Sequence, residues 1–203
     1  MAANPQRLYM TIEQYLVFDR ASDTKYEYLD GEAVAMSGGS VNHSRLAGNL
    51  FFLLAQVLGT RGPCIPYNSD IRVLVAKRQY VYPDLTVSCD ENDHQGEHDT
   101  LFSPRLIVEV ISLSTEAIDR GRKLNWYRNH PSVQEYLLIN TRMQLIEMYR
   151  RGNLGEPWAY QTYSAHETFR LACLDLSLAV NDVYAGLNIP LPDTLDPLVQ
   201  EED

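Results

Sequence analysis

Hydrophobic and polar residues follow helical and strand periods in different parts of the chain. Leucines at helical spacing predict a long helix from about Val41 to Leu58. A shorter helix is predicted from Thr11 to Phe18, with Thr11 as its N-cap and Gln14 three residues later. The dipeptide Asp30-Gly31 between two apolar runs indicates a β-hairpin. The beginning of the chain is therefore expected to fold as helix, hairpin and helix.

The rest of the chain is mostly strand-like, with one further long helix. Apolar or alternating runs predict strands at 65–67, 70–75, 80–87, 106–111, 135–140, 145–150 and 159–163. A helix over 115–129, with Ser114 as its N-cap, lies between two of these strands and predicts a right-handed crossover unit. A short helix is expected over 181–187.

This order of elements predicts a single mixed α/β domain over residues 1–189. The following segment, 190–203, is acidic and rich in proline, and we expect it to be a flexible tail. The stretch from Asp90 to Thr100 is polar and acidic, which is typical of a mobile loop.

Length and charge narrow the classes of protein. The chain has 203 residues, with 17 Lys and Arg against 27 Asp and Glu, and a formal charge of −10. This length fits one domain whose core needs no metal or disulfide in order to fold. A strongly acidic chain is not expected to bind polyanions non-specifically, because such proteins usually carry a basic surface. No apolar run reaches the roughly 20 residues of a membrane span.

The N-terminus and the cysteines indicate a cytoplasmic protein. Residues 1–7 lack the apolar stretch of a secretory signal. The three cysteines, Cys64, Cys89 and Cys173, are isolated and odd in number. Neither a disulfide framework nor a zinc site built on paired cysteines is therefore expected. We expect three reduced, partly buried thiols.

Two carboxylates lie within apolar strands. Glu109 stands between Ile107-Val108 and Val110-Ile111, and Asp84 lies in a similar apolar run. An ionised carboxylate buried in a strand is costly unless a partner compensates it. Two of them on neighbouring strands repel each other unless one is protonated or a cation lies between them. A hard divalent ion such as Mg²⁺ would resolve both costs, and a buried structural network without a ligand is the alternative.

The predicted helix 115–129 brings a cation back toward Glu109. The three strand steps that follow Glu109 cover roughly 10 Å, and the eight helical steps that lead to Lys123 cover about 12 Å. Lys123 therefore returns to nearly the height of Glu109. Asp119, Lys123 and Tyr127 share one helix face, but the sequence leaves open whether that face points at Glu109. A solvated Asp119–Lys123 pair is the alternative.

An ordered set of short motifs resembles a known group of nucleases. Pro83-Asp84 followed by Glu109-Val110-Ile111 resembles the PD-(D/E)XK nuclease superfamily, and the chain over roughly residues 10–187 more closely resembles the Uma-two family, regarded as restriction endonucleases. The set comprises Tyr26-Glu27-Tyr28-Leu29-Asp30-Gly31-Glu32, Asn42-His43-Ser44, Ser69-Asp70-Ile71-Arg72-Val73, Tyr82-Pro83-Asp84-Leu85, Glu109-Val110-Ile111-Ser112, Ser114-Thr115, Asp119 to Lys123, Tyr127 and Glu135-Tyr136. The resemblance implies a restriction-endonuclease-like fold, in which α-helices flank a mixed β-sheet core, here with an additional N-terminal helix and hairpin.

The resemblance also implies roles for individual residues. Asp84, Glu109 and the backbone carbonyl of Val110 would bind Mg²⁺ or Mn²⁺, and Glu27 would complete the site. Lys123 would assist by orienting or deprotonating the attacking water, or by stabilising charge on the phosphate. The implied catalytic residues are thus Glu27, Asp84, Glu109 and Lys123.

One position departs from the superfamily pattern, because Ile111 stands where a lysine is usual. In the closer family that lysine has moved to the next helix, where Lys123 matches it. An enzyme inactivated by loss of the lysine is the other explanation. Further candidates for contact with the site are His43, Asp70, Asp119 and Tyr127. Each of these also has a purely structural explanation, such as helix capping or packing.

The sequence thus favours a metal-dependent endonuclease that hydrolyses phosphodiester bonds in DNA. A catalytically silent nuclease-fold protein that binds nucleic acid or protein is the alternative. The charge of −10 implies weak, salt-sensitive affinity for DNA unless a homodimer or another partner supplies a positive surface. No membrane partner is expected.

Overall fold

The structure, a computed structural model, describes residues 7–36, 38–59, 62–153 and 156–192. Its helices are α1 (Ile12–Ala21), α2 (Val41–Leu58), α3 (Glu116–Ile118), α4 (Leu124–Asn129) and α5 (Val180–Val183). Its strands are β1 (Arg7–Tyr9), β2 (Tyr26–Leu29), β3 (Glu32–Ala35), β4 (Ile65–Asn68), β5 (Arg72–Ala76), β6 (Gln79–Val81), β7 (Leu85–Ser88), β8 (Thr100–Leu101), β9 (Pro104–Ile111), β10 (Glu135–Asn140), β11 (Leu145–Arg150), β12 (Ala159–Ser164), β13 (Thr168–Leu171) and β14 (Leu176–Ala179). Most of the predicted tail, residues 193–203, lies outside the described residues.

The described strands form two six-stranded sheets and a separate two-stranded pair. The first sheet has the order β1-β3-β2-β6-β5-β8, and the second has the order β12-β11-β10-β9-β7-β4. In the second sheet β9 runs parallel to β10, with Glu109 opposite Leu138, and antiparallel to β7. The chain passes between the two sheets several times, and one of these passages, from the first sheet to the second, lies between β6 and β7. The predicted mixed α/β architecture is confirmed.

The N-terminal helix and hairpin form as the sequence predicts. Thr11 accepts a hydrogen bond from the Gln14 backbone N–H, and the Gln14 side chain accepts one from the Thr11 N–H, which completes a capping box. The helix continues to Ala21, three residues beyond the predicted end. Asp30 and Gly31 have φ values of 55° and 105°, as a tight hairpin of this kind requires.

Side chains of the central strand β9 alternate between two apolar clusters. Leu50 of the long helix α2 is fully buried against the face that carries Val108. Ile107 and Ile111 belong to the cluster on the other face. Because alternate residues of a strand share a face, Glu109 points to the same side as these two isoleucines, away from α2.

The crossover between β9 and β10 is helical but not one regular helix. A π-helical turn, Asp119–Lys123, separates α3 from α4, and within it the Leu124 N–H donates to the Asp119 carbonyl. The predicted N-cap, Ser114, is wrong by one residue, since Thr115 precedes the first helical residue. The Ser112 N–H donates to the Thr115 hydroxyl, so the turn before the helix is closed by Thr115 rather than by Ser114. Single π-turns of this kind are frequent at functional sites.

The expectation of three reduced thiols is wrong. Cys64 and Cys89 form a disulfide, and Cys173 is free. The strands β4 and β7 pair antiparallel with Ile65 opposite Ser88, which places the preceding Cys64 beside the following Cys89. The two cysteines are 25 residues apart in sequence, so only the pairing of these strands brings them together.

The stretch from Asp90 to Thr100 is more ordered than a solvated loop. A short 3-10 helix, Glu91–His94, carries the buried Asp93. The Asp93 carboxylate accepts hydrogen bonds from the Ser88 hydroxyl and from the Phe102 and Ser103 backbone N–H groups. One buried acid thus anchors the segment that the sequence assigns to a mobile loop. Separately, none of the helices within the described ranges has the length and apolar character needed to cross a membrane.

Candidate active site

The predicted acids meet where the two sheets adjoin. Glu27 comes from β2 of the first sheet, and Glu109 comes from β9 of the second. Asp84 lies on the connection that leads from one sheet to the other, directly before β7. Lys123 is the last residue of the π-helical turn. These four side chains come from four separate parts of the chain and lie together at the candidate site.

The ammonium of Lys123 lies among three carboxylates. Its Nζ is 2.8 Å from Glu27 Oε1, 3.0 Å from Glu109 Oε1 and 3.6 Å from Asp119 Oδ1. Lys123 is only 5 % exposed. Burial opposes its charge, but the neighbouring charges of Glu109, Glu27 and Asp119 more than offset that cost, and the pKa of Lys123 lies well above its usual value. The helix face that carries Asp119, Lys123 and Tyr127 therefore points at Glu109, an orientation that the sequence alone does not determine. The Lys123 ammonium brings a positive charge to this face.

Glu109 is held by two donors from the crossover helix. The Tyr127 hydroxyl donates to Oε1 at 2.7 Å, and Lys123 donates to the same oxygen. Burial raises the pKa of Glu109 well above its usual value, Lys123 lowers it in part, and the charges of Asp119, Asp84 and Glu27 raise it further. The site therefore gathers more negative charge than Lys123 alone neutralises.

Asp84 is attached directly to the strand that carries Glu109. Its Oδ2 accepts a hydrogen bond from the Val110 backbone N–H at 2.7 Å, and His43 Nε2 lies 3.2 Å from the same oxygen. The hydrogen bond to Asp84 raises the pKa of His43, burial opposes the shift, and the charge of Asp119 and the carbonyl of Val110 add to it. The imidazole thus lies beside both Asp84 and the Val110 carbonyl.

Asp119 is the least satisfied of the buried acids. Its Oδ1 is buried and has no hydrogen-bond partner among the described residues. Burial raises its pKa, although Lys123 and a hydrogen bond from Thr115 act in the opposite direction. A buried carboxylate oxygen without a donor is costly, so this part of the site can accept a further cation or donor.

A cavity of about 280 Å³ opens onto these groups. Its walls include Asp84, Glu109, Val110 and Lys123, and Ser112 and Ser114 also line it. This is space for a small polar group such as a phosphate with its water, and it gives both acids access to a ligand.

The oxygen atoms in this cavity fit a hard divalent cation. Among the described residues, the contacts to Asp84 and Glu109 fall on one oxygen of each carboxylate, which leaves the second oxygen of each available. No group of three His, Cys, Asp or Glu side chains is arranged to hold a metal within the described ranges. Mg²⁺ does not require such a group, since it is usually bound by one or two carboxylates together with water and other oxygens. The pair of acids with the Val110 carbonyl is a donor set of that type.

One predicted candidate lies elsewhere. The Asp70 side chain is 72 % exposed and pairs with Lys25 Nζ at 2.6 Å. Its backbone N–H donates to the Asn68 side chain, so it belongs to a surface turn before β5. Asp70 is therefore wrong as a contact of the site, whereas His43, Asp119 and Tyr127 all touch its acids.

One contact of the site was missed by the sequence reasoning. The backbone N–H of Tyr82 donates to Glu27 Oε1 at 3.3 Å. Its position directly before Pro83-Asp84 was a signal that this residue adjoins the site, but a backbone contact with Glu27 cannot be read from residue types.

Comparisons with known proteins agree with this architecture. A crystal structure of a putative nuclease belonging to DUF820 from Anabaena variabilis superposes with a TM-score of 0.72 at 15 % identity, covering 86 % of this chain and 97 % of that one. At this identity the likeness shows the fold. Two uncharacterised proteins of Synechocystis sp. strain PCC 6803 are similar in sequence. One, slr1290, is 38 % identical over 176 residues, covering 86 % of this chain and 91 % of that protein. The other, sll1609, is 35 % identical over 144 residues, covering 70 % and 81 %.

A family model described as "Putative restriction endonuclease" matches residues 12–181, which include every acid of the site described above. The match spans more than half of the chain. The protein belongs to the Uma2 (Uma-two) family.

Proposed function

We propose that this protein is a metal-dependent endonuclease that hydrolyses phosphodiester bonds in DNA. The observation that supports the proposal is the hydrogen bond that the Asp84 carboxylate accepts from the Val110 N–H, which attaches Asp84 to the strand that carries Glu109, and both acids line the same cavity. The family and the fold support a nuclease in general. The residue roles and the metal rest on the geometry.

The metal would be held by oxygen atoms of Asp84, Glu109 and the Val110 carbonyl. When bound, Mg²⁺ or Mn²⁺ supplies Lewis-acid stabilisation of the charge on the phosphate oxygens. Tyr127 keeps Glu109 in place through its hydrogen bond to Oε1, and the His43 contact restrains Asp84. The protein thus presents both acids in fixed orientations, so less order has to be gained when the site is filled.

The reaction is the addition of water to phosphorus with loss of the sugar oxygen. The bond from the water oxygen to phosphorus forms, the bond from phosphorus to the sugar oxygen breaks, the attacking water releases one proton to solvent, and the leaving oxygen takes up a proton from solvent to end as a hydroxyl. Lys123 carries a positive charge at the cavity wall, where it stabilises the negative charge that develops on the phosphate oxygens. Glu27 holds that ammonium at 2.8 Å.

Cleavage of plasmid DNA by the purified protein in Mg²⁺ or Mn²⁺ tests the proposal. We expect wild-type protein to cleave, and Asp84→Asn and Glu109→Gln each to lose cleavage while remaining folded. Asp182→Asn changes an exposed acid of α5 and should cleave as wild type. Equal cleavage by the wild type and both site variants would show that another component cuts the DNA.

One observation favours a second candidate, a non-catalytic binding protein with the same fold. The Lys123 ammonium already contacts three of the acids, so a cation occupies part of the site in the protein itself. Calorimetric titration with Mn²⁺ separates the two candidates. Binding that disappears in Asp84→Asn supports the nuclease, whereas no heat of binding together with no cleavage supports the second candidate.

The acidic charge bears on how DNA would be held. With a net charge of −10, the chain lacks the excess of basic residues that usually holds the DNA backbone. We expect weak binding that falls steeply with salt unless a homodimer or another protein contributes positive charge.

A further inference from the structure

A second buried ionic cluster adjoins the candidate site through Tyr82. Arg72 of β5 is 1 % exposed, and its Nη1 donates to Asp19 Oδ2 at 2.6 Å. Its Nη2 lies 2.5 Å from Asp99 Oδ1, and its Nε donates to Thr100 Oγ1 at 2.8 Å. The guanidinium is therefore fixed by partners from α1 and from the segment that leads into β8.

Asp19 holds the two chain segments that carry site acids. Its Oδ1 accepts a hydrogen bond from the Tyr26 backbone N–H at 3.0 Å, one residue before Glu27. Its Oδ2 accepts one from the Tyr82 hydroxyl at 2.5 Å, two residues before Asp84. The Asp19 carboxylate of α1 therefore links β2, which carries Glu27, to the segment between β6 and β7, which carries Asp84.

Tyr82 is restrained at both ends. Its hydroxyl is bound to Asp19, and its backbone N–H donates to Glu27 Oε1 at 3.3 Å. The next residue, Pro83, has a φ angle fixed by its ring. Because Tyr82 is restrained and the φ angle of Pro83 is fixed, the backbone of Asp84 has little freedom to move relative to Tyr82.

Stability alone does not explain why this cluster is ionic. Desolvating a buried ion pair costs about as much as the pair gains, and apolar residues of similar volume often stabilise a fold equally well. What an apolar pair cannot supply is acceptors for the Tyr26 N–H and the Tyr82 hydroxyl. These two hydrogen bonds hold the residues that lie just before Glu27 and Asp84 in the sequence.

We propose that Asp19, held in place by Arg72, is a positioning residue that sets Glu27 and Asp84 relative to each other through Tyr82. The activity test of this role rests on the proposed nuclease function. It does not involve contact between Asp19 and the substrate.

The substitution Tyr82→Phe removes only the hydroxyl that binds Asp19. We expect kcat for DNA cleavage to fall by about 10- to 100-fold with little change in KM, because displaced acids impair the reaction more than binding. The control is Tyr184→Phe, which removes an equally buried hydroxyl bound to Asn140 and Leu145. Its kcat should equal that of wild type even if its thermal stability falls.

Asp19→Asn provides a second variant of the same shape without the charge. We expect the same fall in kcat as for Tyr82→Phe, and if Asp19→Asn does not fold, Tyr82→Phe alone decides. Wild-type kcat in folded Tyr82→Phe would overturn the proposal.

Hydrogen exchange at the backbone N–H of residue 82 gives a readout that needs no activity. That N–H binds Glu27, so its exchange should become about tenfold faster in Tyr82→Phe and remain unchanged in Tyr184→Phe. If the wild type cleaves no DNA, the proposed function fails. Unchanged exchange at residue 82 would then separately overturn the positioning role.

Discussion

The Asp84 side chain accepts a hydrogen bond from the Val110 backbone N–H at 2.7 Å. This bond ties the connection between the two sheets to the residue that follows Glu109. It fixes the separation of two acids that are 25 residues apart in sequence. Asp84, Glu109 and Val110 all line one cavity, which is the basis of the proposed metal site.

Tyr127→Phe should weaken both stability and cleavage. The hydroxyl that donates to Glu109 Oε1 is fully buried, and removing one partner of a buried hydrogen bond costs about 1–3 kcal/mol. We expect the free energy of unfolding to fall by about that amount, measured by urea denaturation, and cleavage to slow because Glu109 is less restrained. A variant with wild-type stability would mean that Tyr127 does not hold the acid.

Lys123→Met should be among the most destabilising substitutions in the protein. It leaves Glu27, Glu109 and Asp119 buried without their cation, and breaking a buried pair in this way typically costs about 3–5 kcal/mol. The double variant Glu109→Gln/Lys123→Met should lose less stability than the two single losses added together. Strictly additive losses in denaturant unfolding would show that the two side chains do not interact.

Asp99 should make stability depend on pH below about 4. Hydrogen bonds from Arg20 lower the pKa of Asp99 well below its usual 3.8, partial burial opposes the shift, and the charge of Arg72 adds to it. A carboxylate whose pKa is lowered by folding stabilises the folded state above its unfolded pKa, and this stabilisation is lost as the pH falls. The difference in Tm between wild type and Asp99→Asn should therefore be full at neutral pH and shrink as the pH falls below about 4. A difference that stays constant down to pH 3 would contradict the ion pairs of Asp99.

The disulfide predicts a thiol count and a stability change. Protein purified without reductant and then denatured should show one free thiol, that of Cys173, rather than three. Reduction should lower the free energy of unfolding by about 3.5 kcal/mol in the chain-entropy model, given the 25-residue separation. Mass spectrometry after alkylation with and without reductant measures the count, and three alkylated cysteines without reductant would exclude the bond.

The sequence predicts those parts of the structure that depend on local patterns. The capping box at Thr11, the Asp30-Gly31 hairpin and the leucine face of α2 are each confirmed, because periodicity and turn chemistry act over a few residues. The burial of Glu109 is likewise evident from its apolar neighbours. The rise per residue of the strand and of the helix correctly predicts that Lys123 lies level with Glu109.

What the sequence does not predict depends on pairing between distant segments. The Cys64–Cys89 bond follows from the register of β4 against β7. In the sequence Asp93 is one acid among several in a polar stretch, and only the structure shows that Ser88 and Ser103 donate hydrogen bonds to it. A charged Arg72 within an apolar strand indicates a buried ionic partner, as Glu109 does. The sequence does not identify the partners of Arg72, because they lie in elements that no sequence motif connects to it.

A crystal of the protein soaked in Mn²⁺ tests the central claim most directly. We predict anomalous density between the carboxylates of Asp84 and Glu109, within bonding distance of the Val110 carbonyl, and its absence in Asp84→Asn. Well-ordered crystals at saturating Mn²⁺ with no density at these acids, or with density only at another site, would contradict the account.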